Sequence, residues 1–352
     1  MNKRPPRNGE KLIKPQNTLV IDANSLFKVS YHGAKDLYNH DGKHIGGVYQ
    51  FITTLRMLLV NDLYHKVYIF WDGNFGGKLR YNIYQPYKSG RGKDYINGNI
   101  TADEDEIREK KIVWEYINEF YIRQLKIEFI EGDDLIAQYC LLKKENEKIT
   151  ICSNDRDMSQ LISDDVRVYF LGLKNYVDLF NYSSYFCHKQ ENSVLIKTIC
   201  GDTSDSIKGI KGLGEDKLTS LFPEIKEKKV TLNEIIDKAK QQQEERIKTN
   251  KQPLKVLDNI INGITDGVQG NRIYEINEML VNLKTPMITE DAIREMEQLI
   301  DGTLDSSGRD LKNVLIMMER DGLDKAIGST RYPDYLVPFK RLIDREKMLN
   351  ND

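Results

Sequence analysis

Carboxylates in this chain recur where short apolar runs end. Asp22 closes Thr18-Leu19-Val20-Ile21, and Asp72 closes Val67-Tyr68-Ile69-Phe70-Trp71. Glu131, Asp133 and Asp134 follow the run 127–130, and Asp155 and Asp157 follow Ile149-Thr150-Ile151-Cys152. The runs are short, apolar and rich in β-branched or aromatic residues, so each reads as a strand. Parallel strands would bring these acids to one sheet edge, where open α/β sheets bind ligands. Glu131 and Asp134 are three apart and share a face if a helix starts near 131. Asp155 and Asp157, two apart, point the same way in an extended segment. Asp202 and Asp205, in GDTSDSIKG, are three apart at an expected helix start, with both carboxylates on one helical face. They are expected to join the cluster, within about 8 Å of Asp134, Asp155 and Asp157. A bare group of this kind repels itself, so it protonates or binds cations. Oxygen-only donors favour hard Mg²⁺ or Mn²⁺ over zinc. Two such ions would activate water and stabilise the leaving oxygen in phosphodiester cleavage. Taken singly, each acid also suits helix capping, because Asp is a favoured N-cap.

Two segments could handle phosphate. LRYNIYQPYKSGRGK, residues 79–93, carries Arg80, Lys88, Arg91 and Lys93 with Tyr81, Tyr84 and Tyr87 interleaved. Cations fix phosphates and aromatic faces stack on bases, although the same text also suits a solvated surface loop. GIKGLGEDKLTSLF, residues 209–222, is the second. Gly209, Gly212 and Gly214 permit a tight hairpin that exposes amides at a helix N-terminus, which binds a phosphate without reading sequence. Lys208, Lys211 and Lys217 surround it. The alternative there is an ordinary αα-hairpin turn. Between the two lies SGRGKDYINGNITADED, residues 89–105, glycine-rich and almost without apolar anchors. It is expected to be mobile alone and to order as an arch over a single strand.

The elements that must position these residues alternate. Helical spacing of apolar residues runs over 48–59, 103–124 and 134–144, between the strands named above and a further strand at 166–170. That order predicts an α/β fold, a mostly parallel central sheet flanked by helices, over residues 18–190, with an arch segment at about 80–125. Residues 191–352 read as a helical DNA-binding region containing the hairpin 209–214. Within it, 226–255 is rich in Lys, Glu and Gln and reads as a solvated helix pair or a partly mobile excursion. Residues 1–17 read as a flexible basic tail without the apolar core of a secretory signal.

Composition closes off several classes. The chain of 352 residues carries 52 Lys and Arg against 54 Asp and Glu, a net charge of −2, so it is not a generic basic polyanion binder. Cys140, Cys152, Cys187 and Cys200 form no CxxC pair, which excludes the usual thiolate zinc sites and fits a reducing cytoplasm. No apolar run is long enough to cross a membrane. The histidines show no metal spacing, and neither a P-loop nor a GxSxG elbow is present.

VIDANSLF, FWDG, RYNIYQPYKSGR, EGDDLIAQ, CSNDRDMSQLI and GDTSDSIKGIKGLG together resemble the 5′-3′ exonuclease and flap endonuclease superfamily, especially its bacteriophage branch of RNase H-type 5′ nucleases. The resemblance covers roughly residues 18–222 and weakens beyond. It implies a PIN-like nuclease core with a helix–three-turn–helix part. Its metal-binding acids fall on Asp22, Asp72, Glu131, Asp133, Asp134, Asp155, Asp157, Asp202 and Asp205, with none missing. The basic residues near the scissile phosphate fall on Arg80 and Lys88, with Arg91 just beyond. GIKGLG matches the hairpin that grips duplex DNA, where the family commonly holds K⁺. Where many relatives have EADD, this chain has Glu131-Gly132-Asp133-Asp134.

The expected function is a two-metal, Mg²⁺-dependent, structure-specific 5′ nuclease of phage DNA replication that removes RNA primers or 5′ flaps. Asp22, Asp72, Glu131, Asp133, Asp155 and Asp157 would hold the cleaving ion, and Asp134, Asp202 and Asp205 the second. Lys88 and Arg80 would stabilise charge on the transferring phosphate, and Tyr87, Arg91 and Lys93 would contact the strand. The expected partners are branched or flapped DNA and RNA–DNA hybrid, with a single-strand-binding protein and a polymerase as candidates. The protein is expected to be monomeric and to work in the cytoplasm, the host's if it is viral. Two other readings stay open: a PIN-type endonuclease of single-stranded RNA, and a catalytically silent branched-DNA-binding replisome protein.

Overall fold

The computed structural model describes residues 16–34, 36–89, 103–266, 270–304 and 309–349. Residues 1–15 of the expected tail and residues 90–102 of the expected arch, with Arg91 and Lys93, lie outside the described residues, whereas Gln16 and Asn17, expected in the tail, already pair in the sheet.

Six strands form the central sheet: β1 (Gln16–Asp22), β2 (Lys66–Trp71), β3 (Arg123–Lys126), β4 (Glu147–Ser153), β5 (Val166–Phe170) and β6 (Asn175–Val177). Their spatial order is β3-β2-β1-β4-β5-β6. The first five run parallel, and β6 returns antiparallel to β5. Alternation along the strands divides the core. Leu19, Ile21, Ile69 and Trp71 face one apolar layer, and Val20, Tyr68, Phe70 and Ile151 face the other. On the first face pack α1 (Ala23–Gly33), α2 (Gly46–Asn61) and α4 (Glu104–Glu119); on the second packs α5 (Gly132–Leu142).

The third strand is not the apolar run 127–130 but the four residues before it. α4 stops at Glu119, and Tyr121 takes a left-handed φ of 59°, turning the chain into β3. β3 pairs Tyr68 with Arg123 and Trp71 with Lys126. Its polar side chains are used inside: Arg123 is buried and donates to Gly302 O, and Gln124 accepts from Trp71 Nε1 at 3.0 Å. The run 127–130 instead folds back as a turn, with Phe129 at φ 67° and Gly73 N donating to Ile130 O at 2.8 Å.

The expected helical region divides between three packing units. α6 (Ser193–Cys200), α7 (Glu215–Leu221), α8 (Leu232–Lys248), α9 (Lys255–Asn262) and α10 (Arg272–Val281) share an apolar cluster of their own. The segment read as a solvated excursion is largely α8, started by a Thr231/Glu234 capping box and anchored through Ile235, Ala239 and Gln243. α11 (Glu290–Asp301) places Ala292 and Met296 in the layer under α5. α12 (Leu311–Arg320), α13 (Asp324–Ile327) and α14 (Tyr332–Leu349) join the opposite layer with α2 and α4. There Phe339 stacks on Phe120 at 3.9 Å between centroids, and Arg345 donates to Tyr64 O. No helix among the described residues is long and apolar enough to cross a membrane.

Because Phe339 is fully buried at this contact, Phe339→Ala should remove about 3–5 kcal/mol of stability. Urea unfolding checks this, and a loss within about 0.5 kcal/mol would mean that α14 only decorates the core.

Candidate active site

The acids are set by backbone as much as by side chains. Asp22, at the end of β1, caps α1: its Oδ1 accepts from Ser25 N at 2.9 Å and its Oδ2 from Ser153 Oγ at 2.7 Å. Ser153 Oγ in turn accepts from Asp155 N at 2.9 Å, tying the ends of β1 and β4 together. Asp72 Oδ1, beyond β2, accepts from Gly132 N at 2.8 Å. A Cβ at residue 132 would lie 3.2 Å from that oxygen, so the glycine gives Asp72 a close seat at the start of α5. Asp155 is on extended chain, but Asp157 is not. Asp155 starts a 3₁₀ turn, Arg156–Leu161, and accepts from Asp157 N at 2.8 Å, because a short capping carboxylate closes such a turn on itself.

Three cations are threaded through the cluster. The Arg80 guanidinium, 5% exposed, makes a two-pronged pair with Asp134 at 2.5 and 2.9 Å and reaches Glu131 at 2.7 Å, while its Nε donates to Leu280 O. Lys88, at a left-handed φ of 55°, donates to Glu131 Oε1, and its backbone N donates to Asp205 O at 2.8 Å. Tyr87 Oη bridges Glu131 at 2.9 Å and Asp205 at 3.3 Å. Lys197 of α6 bridges Asp157 at 2.7 Å and Asp202 at 2.6 Å. Arg80 thus spends four of its five N–H groups on site carboxylates and Leu280 O, which positions Glu131 and Asp134.

Asp202 and Asp205 do not lie on a helix. β7 (Gly201–Asp202) and β8 (Ile207–Lys208) form a small antiparallel hairpin. Asp202 Oδ1 accepts from Ser204 N and Oγ, and Ser206 takes φ 60° to close the turn. Asp and Ser favour this local bonding over helix, which explains the difference. Lys197 sets Asp202 beside Asp157, and Tyr87 sets Asp205 beside Glu131. Glu131, Asp133, Asp157, Asp202 and Asp205 line one small open cleft, walled by Ile207, Leu280 and Val281.

Crowding moves the protons. Burial, with Asp72 and Asp155 nearby, raises the Asp22 carboxyl to about 7 against the bonds from Ser25 and Ser153. Burial, then repulsion from Asp155, raises Asp157 to about 6 despite Lys197. Asp133, half-buried, is pushed well up by desolvation and by Asp22, Asp155 and Asp72. Glu131 goes the other way: burial opposes its charge, but Lys88 and Arg80 override it and pull it down to about 2. Among the described residues no three carboxylates close round a single point as they would round an ion. The donor set nonetheless suits a hard divalent cation: it is all oxygen, and its carboxyls are raised by burial and mutual repulsion, which such an ion would offset.

Beyond β8 comes the glycine hairpin. Gly212, at φ 74°, has open space on its Cβ side, and Gly214 leads into α7. Gly209 has a different reason to be glycine: a Cβ there would fall 1.9 Å from Cys200 O, so it serves close packing of the β7–β8 hairpin on α6. Lys208 is exposed, Lys211 pairs with Asp266 at 2.6 Å, and Lys217 donates to Gly212 O. Asn259 donates to Lys211 O. The Lys211 and Gly212 carbonyls thus each accept one side-chain bond. Sequence reasoning missed Lys197 and Ser153. The only available signal was Lys197 standing five residues before Asp202.

Residues 17–190 match the family model described as "5'-3' exonuclease, N-terminal resolvase-like domain". The chain is 30% identical over 226 residues to a 5′-3′ exonuclease of Mycoplasmopsis pulmonis, spanning 64% of this chain and 70% of that one. It is 27% identical over 215 residues to the thermostable DNA polymerase I of Thermus caldophilus, spanning 60% of this chain and 25% of that one. The chain thus covers about a quarter of that polymerase. Its fold is similar to the T5 D15 protein co-crystallised with metal ions, with a TM-score of 0.59 at 17% identity over 81% of this chain and 99% of the other. It is also similar to the bacteriophage T5 D15 flap endonuclease complexed with DNA and metal ions, with a TM-score of 0.56 at 17% identity over 86% and 100%.

The raised carboxyls fix a pH response. Asp22 and Asp157 favour the folded state while protonated, fully so below their unfolded value near 4, and this contribution disappears as pH rises through about 6 and about 7. Glu131 stabilises above its unfolded value near 4.5, and its contribution is lost only as pH falls toward about 2. In EDTA the melting temperature should fall by on the order of 5 °C between pH 5 and pH 8, and Asp22→Asn should flatten that fall. Calorimetry across this range checks it; a flat wild-type profile would contradict the assignment.

Proposed function

This chain belongs to the 5′-3′ exonuclease and flap endonuclease superfamily, and from that membership we propose that it is a divalent-cation-dependent nuclease acting on the 5′ strand of branched or flapped DNA and of RNA–DNA hybrids. One observation carries the reading. Asp157 after β4, Glu131 and Asp133 at the start of α5, and Asp202 and Asp205 of the β7–β8 hairpin line one cleft, Asp22 and Asp72 are bonded to Ser153 and Gly132 beside it, and the glycine hairpin 209–214 follows in the same stretch of chain.

Asp22, Asp72, Asp133, Asp155 and Asp157 are the residues proposed to hold one ion, with Asp202 and Asp205 toward a second. Mg²⁺ or Mn²⁺ bound there would supply Lewis-acid activation of water and of the leaving oxygen. The chain's own residues do the rest. Glu131, ionised and held by Arg80, Lys88 and Tyr87, anchors the cluster's charge. Lys88 is the cation proposed to meet a phosphate: its ammonium stands on Glu131 and 4.0 Å from Asp205. Gly212, Gly214 and Lys208 would take a phosphate of the duplex. Arg91 and Lys93 remain expectations for the single strand. Primer or flap removal in phage replication, beside a polymerase and a single-strand-binding protein, and a monomeric state complete the proposal.

An RNA endonuclease of the PIN type would share the acids but has no use for a duplex grip next to them. A silent scaffold would have no use for carboxylates held at raised proton affinity. The deciding assay offers a 5′-labelled DNA flap, an RNA–DNA hybrid and a single-stranded RNA with Mg²⁺. The flap and hybrid should be cut and the RNA left. Asp72→Asn and Asp155→Asn should each slow flap cleavage about a thousandfold, the scale of losing one preorganised electrostatic group, with DNA affinity equal or higher. Near-wild-type turnover of both variants at saturating Mg²⁺ would remove them from the site.

A further inference from the structure

Beside the acids stands an aromatic pair that the cleavage chemistry does not use. Phe75 lies in the loop after β2, three residues past Asp72, and Phe129 in the loop after β3, two before Glu131. Their rings stack with centroids 6.3 Å apart and planes at 29°. Both residues sit in the left-handed region, at φ 55° and 67°, which bulky L-residues seldom adopt. Both stay substantially exposed, at 39% and 43%. Strained backbone that presents apolar rings to water lowers stability, and such strain gathers where a surface serves a ligand.

The two loops are fastened to each other and to the site. Gly73 N donates to Ile130 O at 2.8 Å, Phe129 N to Asn74 O at 2.9 Å, and Lys126 Nζ to Asn74 Oδ1 at 2.9 Å. A Cβ on Gly73 would fall 1.7 Å from Ile127 O, so the loops touch backbone to backbone. The bond from Gly132 N to Asp72 Oδ1 then couples this block to the acids. The rings are therefore a rigid apolar surface at a fixed distance from Asp72 and Glu131. In a site that handles phosphodiesters, the flat apolar group joined to the phosphate is the nucleobase, and every base offers a π-face to an aromatic ring.

We propose that Phe75 and Phe129 form a stacking platform for one unpaired nucleobase next to the phosphate held at the acid cleft, which selects the frayed or single-stranded nucleotide without reading its identity. The inference rests on the nuclease reading above and names a subsite for it.

The test uses the full chain and a 5′-flap duplex carrying 2-aminopurine at the first unpaired nucleotide, bound in Ca²⁺. Cleavage in Mg²⁺ of the ordinary flap and of one abasic at that nucleotide accompanies it. Wild type and the Phe75→Tyr/Phe129→Tyr variant should quench 2-aminopurine, and Phe75→Ala/Phe129→Ala should not. On the ordinary flap the alanine variant should raise KM about tenfold, the scale of one lost base stack. The abasic flap should raise the wild-type KM equally and cost the alanine variant nothing more. Wild-type quenching and KM in an alanine variant with an unchanged melting temperature would overturn the platform. Should that variant fail to fold, equal wild-type KM values on ordinary and abasic flaps would overturn it. A wild type that cuts no flap counts against the nuclease reading, and the quenching still decides the platform.

Discussion

Like charge gathered at one sheet edge is the constraint on which the rest of the structure depends. Parallel strands that end together bring Asp22, Asp72 and Asp155 to one place, with α5 and the β7–β8 hairpin adding more carboxylates. Such a group would force itself apart or protonate unless fixed cations share the space. Arg80, Lys88 and Lys197 are those cations, each lying between or against carboxylates. At Glu131 and Asp202 the cations outweigh burial and hold the carboxyls low. At Asp22, Asp133, Asp134 and Asp157 burial wins and proton affinity rises, even where Arg80 or Lys197 is bonded. On the proposed reading, that imbalance is what draws divalent cations.

The helical part completes this arrangement as well as adding a surface. Leu280 O takes Arg80 Nε, and Met287 N donates to Asp134 Oδ1 at 2.8 Å. Gln160, just beyond the acids of β4, donates to Val281 O and accepts from Leu283 N. The stretch from α10 to α11 thus fastens both the cation and its carboxylate. Asn277 adds a further link, donating to Thr198 O on α6 and to Lys208 O on the hairpin.

Most of the sheet was legible because β1, β2, β4 and β5 carry short runs of mainly apolar, β-branched and aromatic residues, as strands buried on both faces do. β3 was displaced because its sequence is Arg-Gln-Leu-Lys and its polar side chains are satisfied inside, which no hydrophobic pattern can register. The acids were legible as strand-end residues. Their support was not: Lys197 and Ser153 act through contacts that only the fold creates. The Asp202 turn shows the same limit, because capping text reads alike for a helix start and for a tight hairpin. His44 offers another instance. The sequence gives it no metal spacing, and the structure sets its Nδ1 2.5 Å from Glu109, a fully buried acid that also accepts from Val48 N at the start of α2.

The central claim is that the acid cleft holds protons which a divalent cation displaces. Titration calorimetry of Mn²⁺ binding at pH 6, repeated in two buffers of different ionisation enthalpy, measures the protons released. On the proposed reading, on the order of one proton is released per protein at pH 6, and fewer at pH 8, where Asp22 and Asp157 are ionised. Binding that releases no proton at pH 6 would contradict it.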